Sequence, residues 1–171
     1  LVEGRQSPIE HPKYFDQKTG ETSWAATACA IFPTDIFRQL NGFDDKSFFM
    51  YCDDVDFSWR IKLLGKKIIY QPLATVYHAK TLTNDAGWMP TKAELYYSAE
   101  ARLMLLYKWS NEKLADKFCQ QYLDSQVEYL IEIANNYLNK KKSNSMPEQV
   151  DNKHQVAEHL ESNYIKFRFP M

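Results

Sequence analysis

The most informative part of the sequence is the segment Gly42–His78, GFDDKSFFMYCDDVDFSWRIKLLGKKIIYQPLATVYH. An aromatic run, Phe48–Tyr51, comes just before a group of carboxylates. The segment Asp53–Leu64 is predicted to be a helix that stops at Gly65, because glycine readily adopts the left-handed backbone that ends helices. A short β segment ending at His78 follows. The pattern predicts helix and strand in alternation, which is typical of an α/β fold.

The carboxylates at this helix start have different interpretations. Unpaired N–H groups and the helix dipole favour ionised acids there, and an ionised carboxylate in a cleft can accept a proton from a hydroxyl. Asp53 is also a candidate N-cap residue. Asp56 lies four residues before Arg60, which favours an i,i+4 ion pair on the helix surface and a structural role. Asp54 has neither structural explanation, so it is the best functional candidate.

Two features of the segment, an Asp-x-Asp pattern and a histidine, are candidates for metal binding. The letters of Asp54-Val55-Asp56 match a metal-binding D-x-D pattern. Side chains two residues apart on a helix point about 200° apart, so they are poorly placed to hold one ion together. His78 ends a predicted strand, and a lone histidine is more often a satisfied structural residue than a ligand. Open α/β sheets present strand ends to ligands, so a metal-binding role for His78 depends on the fold.

The region before this segment contains one predicted strand and one predicted helix. Residues 4–23 are polar and predict a long loop. The small and apolar segment Trp24–Phe32 predicts a buried strand. A short helix with Thr34 as its N-cap follows, and Asn41-Gly42 is its stop signal.

The region after Gly65 is predicted to be short strands followed by helices. Pro72 is expected to break the chain into two strands, Lys67–Tyr70 and Ala74–His78. A capping-box match begins the predicted helix Thr91–Trp109. A further helical pattern occupies Ser110–Lys142, with apolar residues at close to helical spacing.

Composition restricts the class of protein. The chain of 171 residues is 44% hydrophobic and has a net charge of −1, which excludes a disordered class and gives no basic field for nucleic acid. The aromatic share of 15% suits a core first and stacking platforms for sugar rings second. Three scattered cysteines and the lack of an apolar run of roughly 20 residues favour a cytoplasmic protein, at most peripheral to the inner face of the membrane.

Several motifs occur in an order that resembles one enzyme family. The chain resembles the second half of inverting, bacterial family-2 glycosyltransferases of the GT-A fold, in a rhamnosyltransferase-like branch. The motifs that carry this resemblance are Arg5-Gln6, Glu10-His11-Pro12-Lys13, Thr19-Gly20-Glu21-Thr22, Trp24, Gly42-Phe43-Asp44, Phe49-Met50-Tyr51, Asp53-Asp54-Val55-Asp56, Arg60, Gly65, His78, Tyr96-Tyr97, Arg102 and Lys108.

The resemblance implies a role for each candidate residue. Asp54 would be the general base, which deprotonates an acceptor hydroxyl for attack on the anomeric carbon with inversion. Asp53 would assist it at a position where many relatives have Glu. Trp24 and Tyr51 would line the acceptor site. His78 would help to bind a divalent ion, Mn²⁺ or Mg²⁺, that neutralises the leaving diphosphate.

The resemblance also implies a domain organisation. Residues 1–109 are expected to be the C-terminal half of a GT-A domain, a partial mixed sheet flanked by helices. Residues 110–142 would be a helical extension, 143–153 a linker, and 154–171 a tail of unknown role in which Tyr164–Phe169 alternates like an edge strand. The nucleotide-binding half and its Asp-x-Asp are not in the sequence. We therefore expect a piece of a longer enzyme, inactive alone, with its metal absent or weakly bound.

Two functions remain open from the sequence. The first is part of a glycosyltransferase that moves a sugar from a nucleotide-sugar donor to a saccharide acceptor, in bacterial surface polysaccharide synthesis. The second is a non-catalytic module for acceptor binding or oligomerisation. Half a fold leaves sheet edges uncovered, and the aromatic segment 110–142 could supply a homodimer interface. No nucleic-acid partner is expected.

Overall fold

A computed structural model describes residues 1–11, 14–84 and 87–157, which fall into two compact units. The first unit contains residues 1–44 and 53–90, and the second contains residues 45–52 and the described part of the chain from 91 onward. The described elements are β1 (Val2–Ser7), β2 (Ala30–Ile31), α1 (Thr34–Gln39), α2 (Asp53–Leu63), β3 (Ile69–Tyr77), α3 (Lys92–Lys108), α4 (Glu112–Leu123) and α5 (Glu128–Lys142).

The first unit contains a mixed three-stranded sheet, which confirms the predicted α/β class. The strand order is β2-β1-β3, with β1 antiparallel to β2 and parallel to β3. The last residues of the parallel strands, Ser7 and Tyr77, are paired. The N–H of His78 then donates to the carbonyl oxygen of Ser7 at 2.8 Å. The carboxyl ends of β1 and β3 therefore lie at one edge of the sheet.

The prediction that Pro72 separates two strands is wrong, because β3 is continuous through it. Gly4 pairs with Gln71, whereas the next residue, Arg5, pairs with Thr75. The residues between Gln71 and Thr75 bulge out of the ladder, so the missing N–H of Pro72 costs no ladder hydrogen bond. A Cβ on Gly4 would lie 2.7 Å from the carbonyl oxygen of Ala74. Only glycine lets the strands approach this closely at the bulge.

Two predictions for the N-terminal region are also wrong. Residues 4–7 belong to β1 and not to a loop. The predicted strand Trp24–Phe32 is instead irregular chain, a 3₁₀ turn at Thr27–Cys29 and the two-residue β2. The N–H of buried Ala25 donates to the side-chain oxygen of Ser58 on α2 at 3.1 Å. That bond satisfies the buried N–H without a strand partner, so burial here did not require a ladder.

The core of the first unit is built largely from α2 and aromatic residues around it. Ala25, Phe57, Ile61 and Ile68 are fully buried and in contact. Three further phenylalanines surround the ring of Phe57, with centroids 4.8 to 5.7 Å away: Phe32, Phe37 and Phe43. These contacts fix the rotation of α2 about its axis.

The ends of α1 and α2 agree closely with their local signals. Thr34 is the first residue of α1 and Pro33 occupies the N-cap position, so the predicted cap is displaced by one residue. Asn41 and Gly42 both have positive φ, 56° and 75°, and end the helix as predicted. Gly65, with φ of 70°, ends the region of α2 in the same way.

The second unit contains three helices that pack against one another. The helical pattern from Ser110 to Lys142 is interrupted at residues 124–127, so it forms α4 and α5. The α4 residues Leu114, Ala115, Phe118, Cys119 and Tyr122 are buried, at the spacing of one helix face. None of the described helices combines the length and apolar character needed to cross a bilayer.

The segment after α5 folds back onto the end of α3. The N–H of Val150 donates to the carbonyl oxygen of Lys108 at 2.7 Å, and the hydroxyl of Ser110 donates to the carbonyl oxygen of Val150 at 2.7 Å. The edge strand predicted at Tyr164–Phe169 lies outside the described residues. The domain boundaries predicted from the sequence stay predictions.

Candidate functional site

The backbone enters α2 through two residues in an unusual conformation. Tyr51 and Cys52 have φ of 67° and 60°, in the left-handed region that non-glycine residues rarely adopt. Such residues cost of order 1–3 kcal/mol each and persist only where the surrounding structure holds them. Asp53 follows as the first residue of α2, so it does not occupy the N-cap position that precedes a helix. This backbone delivers Asp53 and Asp54 to the first turn of α2.

Asp53 is half-buried, and its electrostatics differ from the prediction. Burial raises the pKa of the Asp53 carboxyl above its usual value, because desolvation penalises the charged form. The backbone N–H groups of Asp53 and Asp54 act in the opposite direction, and the Asp56 carboxylate adds to the rise. The backbone N–H groups at the helix start thus act in the expected direction on Asp53, but burial outweighs them.

Asp54 is anchored locally and remains partly exposed. Its Oδ1 accepts a hydrogen bond from the N–H of Val55 at 2.8 Å. Val55 is buried and points away from solvent, so it holds the turn in place. A partly exposed carboxylate that is fixed in the first turn of a helix is suited to accept a proton from a bound hydroxyl.

Asp56 and Arg60 form the ion pair that their spacing predicts. The Nε of Arg60 donates to Oδ2 of Asp56 at 2.7 Å, and its Nη1 donates to the carbonyl oxygen of Leu40 at 2.8 Å. The expectation that this pair lies on the helix surface is wrong, because Asp56 is 0% exposed. Because Leu40 follows α1, this pair ties the end of α1 to α2.

His78 lies at the carboxyl ends of the parallel strands, where its ring contacts a buried amide. Its Nδ1 is 3.0 Å from Oε1 of Gln6, a β1 residue that is only 3% exposed. Because an amide oxygen can only accept, this contact requires the proton on Nδ1 and leaves Nε2 as the potential ligand atom. Sequence reasoning missed the role of Gln6, since it placed this residue in a loop. A contact across 72 positions has no local signal.

The expected divalent ion lacks a complete set of protein ligands among the described residues. Within residues 1–11, 14–84 and 87–157, no group of three or more His, Cys, Asp or Glu side chains could hold a metal. Hard cations such as Mg²⁺ take several oxygen ligands, so His78 alone does not make a site for them. The metal-binding role of His78 stays a prediction.

The two predicted acceptor-binding aromatics have different environments. Trp24 is 1% exposed, and its ring centroid lies 6.0 Å from that of His11. Stacking on a saccharide would require this ring to become exposed. Tyr51 is half-buried, and its hydroxyl donates to Oε1 of Glu94 at 3.1 Å within the second unit. Both assignments stay predictions.

Comparison with known proteins supports a relationship to glycosyltransferases. Over 76 residues the chain is 37% identical to N-acetylglucosaminyl-diphospho-decaprenol L-rhamnosyltransferase from two strains of Mycobacterium tuberculosis, CDC 1551 / Oshkosh and ATCC 25618 / H37Rv. This covers 44% of the chain and 22% of each relative. Over 55 residues it is 34% identical to the rhamnosyltransferase WbbL of Escherichia coli strain K12, covering 32% of the chain and 20% of the relative.

These similarities are partial. The matched segment spans about a fifth of the length of the curated relatives. No protein-family profile matches the chain, and no solved structure matches it significantly. The chain is therefore similar over part of its length to enzymes that transfer a sugar.

Proposed function

We propose that this chain is the acceptor-side, C-terminal part of an inverting family-2 glycosyltransferase of the GT-A fold. The observation that carries the proposal is the placement of Asp54. It is a partly exposed carboxylate, fixed in the first turn of α2 by the N–H of Val55 and preceded by two left-handed residues. Backbone held in a sparsely populated conformation is typical of functional sites. The partial similarity to rhamnosyltransferases supports the same class of reaction.

The proposed reaction assigns a proton transfer to Asp54. The carboxylate accepts the proton of an acceptor hydroxyl as the hydroxyl oxygen attacks the anomeric carbon of the donor sugar. The bond between that carbon and the diphosphate oxygen breaks on the opposite face, so the configuration inverts and the electron pair leaves with the nucleoside diphosphate. Asp53 lies beside Asp54 in the first turn of α2, where burial raises the pKa of its carboxyl.

The proposal includes groups outside this sequence. The matched segment spans about a fifth of the relatives, so we propose that other residues of a longer enzyme bind the nucleotide-sugar donor. His78 would contribute one ligand to a divalent ion there, and Trp24 and Tyr51 would contact the saccharide acceptor. The setting would be the cytoplasm, in synthesis of a bacterial surface polysaccharide. This chain alone would not turn over substrate.

The test is the substitution Asp54→Asn in the full-length enzyme that contains this sequence. Loss of a general base should lower the turnover number by about 10²- to 10⁴-fold while the circular dichroism spectrum stays unchanged. The matched control is Asp35→Asn, since Asp35 is also an acid in the first turn of a helix, α1, and is exposed. Normal turnover in the Asp54→Asn enzyme would show that the base assignment is wrong.

The second candidate function is a non-catalytic module that self-associates. It is favoured by exposed apolar side chains on the edge strand β3, where Leu73 is 91% and Tyr77 is 78% exposed. Such edges promote pairing with another chain. Light scattering after size-exclusion chromatography separates the two candidates when combined with the Asp54→Asn assay. The module is favoured if the chain forms a dimer and Asp54→Asn leaves the turnover of the full-length enzyme unchanged.

A further inference from the structure

The second unit carries an aromatic row, defined here as the four rings of Phe49, Tyr97, Tyr96 and Tyr129. Consecutive ring centroids lie 4.7, 5.3 and 6.5 Å apart in that order. Phe49 is 75% exposed, and the three tyrosines are partly exposed. An exposed apolar surface of this kind that is bordered by polar groups marks a binding site more often than a packing defect.

The aromatic row is not part of the helical core. The fully buried residues of α3 begin only at Ala101, whereas Tyr96 and Tyr97 lie near the start of that helix. Tyr96 and Tyr97 are both only partly buried, in contrast to the run Leu103–Leu106 further along α3, which is buried throughout. Tyr129 is likewise in the first turn of α5, before its first buried residue, Ile133. The row therefore collects rings from the starts of two helices and from the segment that carries Phe49.

Hydrogen-bond acceptors border the aromatic row. The hydroxyl of Tyr96 donates to Oε1 of Glu132 at 3.0 Å and accepts from the amide of Asn136 at 3.5 Å. Near the start of α3, Glu94 accepts from the hydroxyl of Tyr51 at 3.1 Å. Glu100 is close enough to act electrostatically on the Tyr96 hydroxyl. The border is thus made of carboxylates and amides.

The chemistry of this surface selects one class of ligand. The negative faces of aromatic rings attract the polarised C–H groups of a sugar ring, and carboxylates accept from its hydroxyls. The carboxylates of Glu94, Glu100 and Glu132 repel phosphates, sulfated sugars and anionic lipid headgroups. A neutral saccharide satisfies both the rings and the acidic border.

We propose that the aromatic row binds a neutral segment of the saccharide acceptor. The inference rests on the proposed function for the nature of the acceptor, and it adds Phe49, Tyr96, Tyr97 and Tyr129 as contact residues. The row holds sugar rings by stacking, and Glu132 and Asn136 hold the Tyr96 ring in place through its hydroxyl. It performs no chemistry of its own, so its effect on the parent enzyme is on acceptor affinity.

The experiment measures binding of two probes to the isolated chain by saturation-transfer-difference NMR. The neutral probe is N,N′-diacetylchitobiose and the anionic probe is glucose 1-phosphate. We expect saturation transfer to the neutral disaccharide and several-fold weaker binding of the phosphate. Phe49→Ala and Tyr97→Ala should each weaken binding of the disaccharide about 2- to 12-fold, the range for one aromatic contact. Phe49→Trp, which keeps a ring, should restore it.

The matched control is Tyr77→Ala, which removes an exposed aromatic side chain on β3 in the first unit and should leave binding unchanged. The proposal is overturned if the disaccharide gives no saturation transfer, if Phe49→Ala and Tyr97→Ala bind as the wild type does, or if glucose 1-phosphate binds more tightly. Loss of binding with a changed circular dichroism spectrum is resolved by Phe49→Trp. If that folded variant also fails to bind, stacking is not the cause and the proposal fails.

Failure of this inference is distinguishable from failure of the proposed function. If the disaccharide binds the row while Asp54→Asn leaves the parent enzyme fully active, the base assignment fails and the binding site stands. If Asp54→Asn abolishes turnover while neither Phe49→Ala nor Tyr97→Ala changes disaccharide binding, only the aromatic row is wrong.

Discussion

The first backbone N–H groups of a helix have no partner within the helix, and the starts of α2 and α3 differ in how they accommodate this. At α3, Thr91 and Glu94 form a capping box, in which the N–H of Glu94 donates to Thr91 Oγ1 at 3.2 Å and the N–H of Thr91 donates to Glu94 Oε2 at 2.7 Å. At α2, left-handed Tyr51 and Cys52 precede a turn with three carboxylates. The start of α3 satisfies backbone groups with minimal strain, whereas the start of α2 has a strained backbone and a group of carboxylates.

This difference supports the proposal that the start of α2 is the functional one. Sequences tend to violate local rules where function requires it, and the violation is compensated elsewhere. At α2 the compensation includes the buried pair of Asp56 and Arg60, which lies in the same helix as the half-exposed Asp54. At α3 there is no violation to compensate. The comparison yields three predictions, which concern the first and fourth residues of α2, Asp53 and Asp56, and the cap of α3, Thr91.

The largest effect is expected from Asp56→Asn. This substitution removes the charge that balances Arg60 in a buried pair, so the free energy of unfolding should fall by about 3–5 kcal/mol. Urea denaturation followed by circular dichroism measures it. The control is Glu21→Gln, which disrupts an exposed ion pair with Lys67 and should leave the unfolding midpoint nearly unchanged. Equal, small changes for both variants would mean that Asp56 does not compensate for the strain at α2.

A smaller effect is expected from Thr91→Ala at the start of α3. Loss of the N-cap side chain should lower the free energy of unfolding by about 1 kcal/mol, and Thr91→Ser should restore it. Turnover of the full-length enzyme should be unaffected, in contrast to Asp54→Asn. If Thr91→Ala reduces turnover at a temperature where the protein is folded, the capping box has a functional role and the contrast between the two helix starts does not hold.

The smallest effect concerns the pH dependence contributed by Asp53. Its pKa is raised above the ordinary value of 3.8, so the folded state binds this proton more tightly than the unfolded state does. Wild-type stability relative to Asp53→Asn should therefore fall as pH rises from 3.8 through the raised pKa, and stay constant above it. Thermal unfolding of both proteins across this pH range measures the difference. If the stability of the wild type relative to Asp53→Asn instead increases with rising pH, the pKa of Asp53 is not raised in the folded state.

The accuracy of the sequence-based predictions follows the range of the interactions involved. The capping box at Thr91 and the stops at Gly42 and Gly65 were predicted, because each signal lies within a few residues of the helix end that it controls. The strand predicted at Trp24–Phe32 failed, because the polar partner of the Ala25 N–H is a side chain 33 positions away. A small and apolar pattern indicates burial, but it does not distinguish a strand from a buried loop when the hydrogen-bond partners of the backbone are unknown.

For the candidate site, the sequence determined which residue types stand at the start of α2 and that Asp56 and Arg60 are spaced to pair. Only the tertiary structure decided that this pair is buried, that Gln6 orients His78, and that the aromatic row is exposed. The reason is that ion-pair spacing is a property of one helix turn, whereas burial and contacts across 72 positions depend on how distant segments pack. The sequence therefore determined the residue types and their local spacing, and the tertiary structure determined their burial and their contacts with distant residues.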